Sequence, residues 1–115
     1  MNALSVDVED YFQVSAFENN IDRSSWDQLE HRVSLNMDRI FKIFSESNVK
    51  ATFFILGWVA ERYPDMVKKI IENGHELASH GYGHQRVSDL TREQFVVDVS
   101  QAKNILEDLS GVEIK

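Results

Sequence analysis

Three short apolar runs along the chain predict buried β-strands. They cover residues 3–8, 51–56 and 76–78, and the first ends abruptly in an acidic cluster. The second run, ATFFIL, is rich in aromatic and β-branched residues and too short for a helix, which indicates a strand covered on both faces. Residues 11–30 show little periodicity and predict a long loop, with at most a helical turn near Trp26.

Helical periodicity fills the segments between these strands. An apolar stripe predicts a helix over residues 31–47. A second helix begins at Pro64, which suits a first turn, and stops at Gly74. A third is capped at Thr91 and closed by Gly111. Its buried face is expected to consist of Phe95, Val99, Ala102, Leu106 and Leu109.

The order of these elements predicts an α/β fold with a parallel sheet. Strands that alternate with helices are joined by right-handed crossovers, and residues 112–114 would begin a fourth strand. About three and a half such units make half of a barrel, whose open edge exposes backbone groups and apolar helix faces. We therefore expect residues 1–115 to be one truncated domain that associates with a second copy to cover this edge.

Composition narrows the classes of function. The 115 residues are 43% hydrophobic, which fits one globular domain, and the formal charge of −7 with scattered basic residues argues against nucleic acid as a partner. No apolar run is long enough to span a membrane, and no signal peptide can be recognised, so we expect a cytoplasmic location. Without cysteine, any metal must be bound by nitrogen and oxygen ligands.

Two clusters of candidate ligands follow predicted strands. His80 and His84 lie four residues apart in the glycine-rich segment HGYGH, and Asp7, Glu9 and Asp10 follow the first strand. Ligands of parallel α/β sheets bind at the carboxyl ends of the strands, where both clusters fall. One carboxylate and two imidazoles would leave open positions on a divalent metal, as hydrolysis requires. A chance pair of loop histidines and a solvated acidic loop are the alternatives.

The other two histidines predict no metal site. His75 precedes a glutamate, but Ser79 stands where a zinc metalloprotease motif needs its second histidine, and the segment predicts a strand rather than a helix. We therefore expect a structural role for His75. His31 lies among charged residues at a helix start and is expected to be solvated.

Aromatic residues near the two clusters are candidates for sugar contacts. Tyr11 and Tyr82 are predicted to bind substrate. Tyr11, Phe12 and Trp26 lie in or near the long loop and could line a sugar subsite, although burial explains them at least as well.

Three segments resemble the polysaccharide deacetylases, the NodB-like domain of carbohydrate esterase family four. They are SVDVEDYF at residues 5–12, ATFFILGWVAERYP at 51–64 and GHELASHGYGH at 74–84. The resemblance spans nearly the whole chain. It is closest to the subgroup associated with bacterial exopolysaccharide loci and exosortase systems, in which VDVEDYF-like and HGYGH-like segments replace the more common motifs. It implies a distorted (β/α) barrel and a divalent metal, with zinc expected.

The resemblance also implies roles for individual residues. The first motif places the catalytic base on Asp7 and the metal-binding carboxylate on Glu9 or Asp10, with Glu9 preferred. The second motif places the two metal-binding histidines on His80 and His84. The later motifs of the family, one of which carries the general acid, have no counterpart before Lys115, so we expect the 115 residues alone to be inactive.

The expected function is the hydrolysis of N-acetyl groups on a polysaccharide that contains N-acetylhexosamine. A hydrolase of the same fold that acts on other amides, such as cyclic amides, is one alternative. A fragment that binds metal or sugar without catalysis is another, because fold does not establish activity.

Overall fold

A computed structural model describes residues 2–115 as a parallel sheet packed against helices. The strands lie in the order β1 (Ser5–Val8), β2 (Thr52–Ile55) and β3 (Glu76–Ser79). The α-helices in this part of the chain are α1 (Val33–Glu46), α2 (Gly57–Arg62), α3 (Pro64–Glu72) and α4 (Arg92–Ser110). Short 3-10 turns occupy Tyr11–Gln13, Ser15–Phe17, Arg23–Gln28 and Val87–Asp89. The predicted parallel α/β architecture is confirmed.

The sheet buries one face against the helices. Side chains alternate between the faces of a strand, and Val8, Phe53 and Ile55 point into the core with at most 1% exposure. Burying an apolar side chain of this size contributes roughly 1.5–3 kcal/mol to stability. On the opposite face Asp7 is exposed and Phe54 only half-buried, so the expectation that β2 is covered on both faces is wrong within residues 2–115.

Helix α2 joins β2 to α3, and it was not predicted as a separate helix. It packs closely on α4, since a Cβ added to Gly57 would lie 3.2 Å from Ala102 Cα. Pro64 begins α3, as predicted. None of the helices in the described chain is long and apolar enough to cross a membrane.

The predicted buried face of α4 is only partly correct. Ala102 and Leu106 are fully buried and Leu109 packs against the core, but Phe95 and Val99 are each 39% exposed. The apolar spacing continues through the first half of the helix, whereas the core of residues 2–115 covers only the second half. Apolar periodicity therefore predicted the helix correctly and overestimated the length of its buried stripe.

The predicted fourth strand at residues 112–114 is wrong. Ile114 is buried, yet its backbone groups bond to side chains of α4 rather than to a neighbouring strand. Its N–H donates to Glu107 Oε1 at 3.0 Å, and its carbonyl accepts from Lys103 Nζ at 2.6 Å.

The expectation that His31 is solvated is also wrong. Its Nε2 lies 2.8 Å from the Trp26 carbonyl and its Nδ1 lies 2.6 Å from the Tyr63 hydroxyl. The imidazole packs against Phe12 and Trp58, at ring-centroid distances of 5.5 Å each. Sequence neighbours suggested exposure, but residues distant in sequence enclose the ring. Phe12 and Trp26 are 2% and 4% exposed, which favours their burial over a sugar subsite.

His75 has the structural role that the sequence predicts. It is 8% exposed, and its ring packs on Phe53 with centroids 4.9 Å apart and stacks on Phe41. Its Nδ1 accepts a hydrogen bond from the Ala51 N–H at 3.3 Å. Burial lowers the pKa of His75, with a smaller effect from the nearby charge of Lys50. The neutral ring is therefore the form that the fold stabilises.

This lowered pKa predicts an acid-sensitive contribution to stability. Unfolding restores the ordinary pKa of 6.5, so the unfolded chain binds more protons, and stability decreases as pH falls below that value. We expect the free energy of unfolding in urea to fall less between pH 7.5 and 5.5 in His75→Phe than in the parent. Equal decreases in the two proteins would show that His75 does not carry this dependence.

Candidate metal centre

The parallel register brings Glu9 and His80 to the same edge of the sheet. They directly follow the last residues of β1 and β3, Val8 and Ser79, which both pair with Ile55 of β2. The ladder extends this far, because Leu56 N donates to Val8 O at 3.4 Å and His80 N donates to Ile55 O at 3.0 Å. The outer strands lie about 10 Å apart, two strand spacings, which the glutamate and histidine side chains can bridge.

The histidine loop, residues 80–84, brings His84 back to the sheet edge where Glu9 and His80 lie. Gly81 has φ 76° and His84 has φ 56°, both in the left-handed region. For a histidine this conformation costs roughly 1–2 kcal/mol, and strain of this kind clusters at functional sites. The first turn of α2 supports the loop, because the N–H groups of Gly57 and Trp58 donate to its carbonyls at 2.9 and 3.1 Å.

Glu9, His80 and His84 form a compact three-residue cluster. Glu9 Oε2 lies 3.0 Å from His84 Nε2 and 3.9 Å from His80 Nε2. One nitrogen or oxygen atom from each residue lies within 4.8 Å of the others. The side chains are 17–28% exposed, so the cluster is shielded but still accessible to a substrate.

The donor set fits a divalent metal. Glu9 Oε2 and His80 Nε2 are buried and make no well-aligned hydrogen bond among residues 2–115, although Glu9 Oε2 lies 3.0 Å from His84 Nε2. Buried polar atoms normally have partners, and a cation between these facing atoms would supply one. Tetrahedral bonds of about 2.0–2.1 Å place ligand atoms roughly 3.3 Å apart, so small side-chain movements would complete the geometry. Two imidazoles and one carboxylate favour zinc-type metals.

Asp10, the alternative carboxylate, is engaged elsewhere. It is 2% exposed, and its Oδ2 accepts from Arg32 N at 2.7 Å and from Val33 N at 2.9 Å. Its Oδ1 accepts from Tyr11 N at 2.9 Å. Asp10 thus satisfies N–H groups at the start of α1 and of the 3-10 turn after β1. Alternation along β1 directs Glu9 and Asp10 to opposite faces, which explains why only Glu9 meets the histidines.

Asp7 and Tyr11 lie near the cluster in sequence but outside it. Asp7 shares the face of β1 that carries Glu9, about 6.6 Å away along the strand, and is exposed. Tyr11 is 38% exposed, and the Arg32 guanidinium lies 4.9 Å from its ring centroid. Both residues are exposed, and their roles as catalytic base and substrate contact stay predictions.

Tyr82 lies within the histidine loop, but its hydroxyl forms a hydrogen bond with a surface side chain. It donates to Glu61 Oε2 at 2.8 Å, and the ring packs so closely on α2 that a Cβ on Gly57 would lie 2.8 Å from it. Burial and, to a lesser degree, the Glu61 carboxylate raise the pKa of Tyr82. These contacts indicate packing at this position, and substrate binding by Tyr82 stays a prediction.

Arg23 and Asp98 also contact the histidine loop, and the sequence did not single them out. Arg23 donates to two loop carbonyls, and Asp98 accepts from two loop N–H groups. Neither belongs to a motif, and both lie many residues from the loop. Their contribution could be found only in three dimensions.

Comparison with known proteins shows the family to which the chain belongs. The family model described as polysaccharide deacetylase matches residues 23–115. The chain belongs to the polysaccharide deacetylase family. The matched range includes His80 and His84 and begins after Glu9, so the carboxylate of the cluster is supported by geometry rather than by this match.

Several curated relatives are named as deacetylases of peptidoglycan or chitin. A peptidoglycan-N-acetylglucosamine deacetylase of Bacillus cereus is 34% identical over 73 residues, 64% of this chain and 26% of the relative. A peptidoglycan deacetylase of Helicobacter pylori is 29% identical over 77 residues, 67% of this chain and 26% of the relative. The chain thus spans about a quarter of the length of these relatives.

Solved structures share the fold. A peptidoglycan N-acetylglucosamine deacetylase in complex with a hydroxamate-type ligand is 28% identical, with a TM-score of 0.70 over 95% of this chain and 41% of the other. A pseudoenzyme of carbohydrate esterase family four from Bacillus anthracis has a TM-score of 0.73 over 98% of this chain and 32% of its own, at 18% identity. The chain therefore corresponds to a fragment of the deacetylase barrel.

The different positions of Glu9 and Asp10 predict separable defects. Asp10→Ala leaves buried N–H groups without an acceptor, and we expect it to lower the free energy of unfolding by about 1–3 kcal/mol. Glu9→Gln keeps the size of the side chain and should leave stability nearly unchanged while weakening divalent-metal binding. Urea denaturation and metal titration of both variants measure these effects. A stable Asp10→Ala protein that no longer binds metal would reverse the two assignments.

Proposed function

We propose that the full-length protein is a metal-dependent hydrolase that removes N-acetyl groups from a polysaccharide containing N-acetylhexosamine. The observation that carries this proposal is the cluster of Glu9, His80 and His84 at the carboxyl edge of a parallel sheet. Such edges are where ligands bind in α/β proteins. Family membership supports hydrolysis of an amide on a carbohydrate.

Glu9, His80 and His84 would hold the metal, and zinc is the ion we propose. A bound divalent ion polarises the amide carbonyl and makes water a better nucleophile. The partial exposure of the three side chains leaves space on the solvent side for a substrate carbonyl. The neighbouring second carboxylate, Asp10, is committed to backbone N–H groups and therefore does not compete.

Asp7 is the residue that we propose as general base. It lies on the same face of β1 as Glu9 and is exposed, so its carboxylate can accept a proton from water on the substrate side. Its position outside the three-residue cluster separates proton transfer from metal binding. Tyr11, exposed near the same edge, is a candidate for sugar contact.

The names of the relatives support a proposal for the substrate class. Their names specify peptidoglycan, N-acetylglucosamine and chitin as the groups on which those proteins act. We propose a polymer of this chemistry, and the segments VDVEDYF and HGYGH favour the subgroup associated with exopolysaccharide loci.

A non-catalytic role is the second candidate, and one observation favours it. A pseudoenzyme of carbohydrate esterase family four shares the fold of this chain. Retention of the cluster does not by itself distinguish an enzyme from a metal-binding relative. Acetate release decides between them.

The proposal predicts different defects for the base and for a ligand. In the full-length protein, Asp7→Asn should retain stoichiometric metal and lose acetate release by about a hundred- to ten-thousand-fold, because proton transfer loses its base. His84→Ala should bind metal too weakly to retain a stoichiometric amount, because only Glu9 and His80 remain as protein ligands. Elemental analysis and enzymatic assay of acetate from chitooligosaccharides and peptidoglycan fragments measure both effects.

Three results would contradict the proposal. Acetate release by the metal-free parent would exclude a metal-dependent reaction. Loss of metal in Asp7→Asn would make Asp7 a ligand rather than a base. A parent that binds metal but releases no acetate from either substrate would favour the non-catalytic role.

A further inference from the structure

Arg23 joins the long segment after β1 to the histidine loop. Its Nη1 donates to the Gly83 carbonyl and its Nη2 donates to the His84 carbonyl, the latter at 3.2 Å. The guanidinium also lies 4.9 Å from the ring centroid of Trp26, which is itself 4% exposed. A planar guanidinium presents donors on separate nitrogens in a fixed plane, so it can hold two neighbouring carbonyls in a defined geometry that a flexible ammonium does not impose.

Asp98 of α4 holds the other side of the loop. Its Oδ2 accepts from Tyr82 N at 3.0 Å, and its Oδ1 accepts from Gly83 N at 3.3 Å. The glycines leave room for both charged groups: a Cβ on Gly81 would lie 2.8 Å from Asp98 Oδ2, and one on Gly83 would lie 3.3 Å from Arg23 Nη1. The loop is therefore held between opposite charges from distant parts of the chain.

The backbone conformation of His84 depends on contacts that fix the loop. Its φ of 56° is unfavourable for a side chain with a Cβ, and conformations of this kind persist only where the surroundings fix them. Its Nδ1 has no hydrogen-bond partner among the described residues, so no bond at that atom fixes the orientation of the ring. The backbone contacts of Arg23 act directly on this residue.

The guanidinium N–H groups of Arg23 are available to hold the histidine loop. No carboxylate of residues 2–115 lies within ion-pair distance of its guanidinium, whereas Arg62 and Arg86 each bond to an acidic side chain. Its only hydrogen bonds to the described residues go to the histidine loop. The hydrogen bonds of the guanidinium therefore act on the backbone of the histidine loop.

We infer that Arg23 is a positioning residue for metal binding: it fixes the backbone of His84 so that the imidazole meets Glu9 and His80. This inference rests on the proposed metal site. It adds a residue that touches neither the metal nor the reacting atoms and acts only through a ligand. Residues that orient metal ligands from outside typically change metal affinity by about ten- to a hundred-fold.

The test compares zinc affinity of the full-length parent with Arg23→Met and Arg23→Lys, by competition with a chromophoric chelator. Arg23→Met is expected to weaken binding by about ten- to a hundred-fold, and Arg23→Lys by less. Exposed Arg39 on α1 gives the matched control, since Arg39→Met removes the same charge away from the loop. The visible spectrum of the cobalt-loaded Arg23→Met protein should move towards that of His84→Ala.

A double-mutant cycle separates positioning from general destabilisation. If Arg23 acts through His84, then Arg23→Met should cause no further loss of affinity in a His84→Ala background. Retained affinity in Arg23→Met, to within about threefold of the parent, would overturn the inference, as would an equal loss in Arg39→Met or in the His84→Ala background. If Arg23→Met does not fold, the same cycle with Arg23→Lys decides the question.

The outcomes also distinguish this inference from the function on which it rests. A parent that binds no zinc would overturn both the proposed metal site and the role of Arg23. A parent that binds zinc but releases no acetate would remove the proposed activity and leave the role of Arg23 to the affinity measurements.

Discussion

The candidate site depends on the parallel register of the three strands. The last residues of β1 and β3 both pair with Ile55 of β2. The residues that follow them, Glu9 and His80, therefore lie at one edge and on one face. A shift of one residue in either strand would turn one of these side chains to the opposite face. The burial of Val8 in β1 and of Leu77 in β3 opposes such a shift. The packing of the core thus determines which side chains meet at the sheet edge.

Charged and polar groups around the site divide into those that bind and those that support. Asp10 satisfies the start of α1, while Arg23 and Asp98 satisfy the backbone of the histidine loop. These groups are hydrogen-bonded to backbone partners, so the nearest partners of the Glu9 carboxylate are the two imidazoles. Although the segments around the site contain several ionisable residues, few of their side chains are therefore free to bind a metal.

The sequence predicted the elements well and their surroundings less well. Local periodicity predicted β2 and α1 because these elements follow from the spacing of apolar side chains along the chain. The start of α4 was predicted because the cap at Thr91 is a hydrogen bond between residues close in sequence. Whether a stripe is covered depends on other elements, so the exposure of Val99 was missed. His80 and His84 were predicted by spacing and family resemblance. The choice of Glu9 over Asp10 is supported by strand alternation, while Arg23 required tertiary contacts that no local pattern contains.

The central claim is that this fold assembles one metal site from Glu9, His80 and His84. The most direct measurement is an anomalous diffraction map from crystals of the full-length protein grown with zinc. We expect one strong peak bound by these three side chains at about 2.0–2.2 Å, with the Asp10 carboxylate still on the N–H groups of α1. Absence of a peak at the cluster, or a zinc ion bound by Asp10 instead of Glu9, would contradict the account.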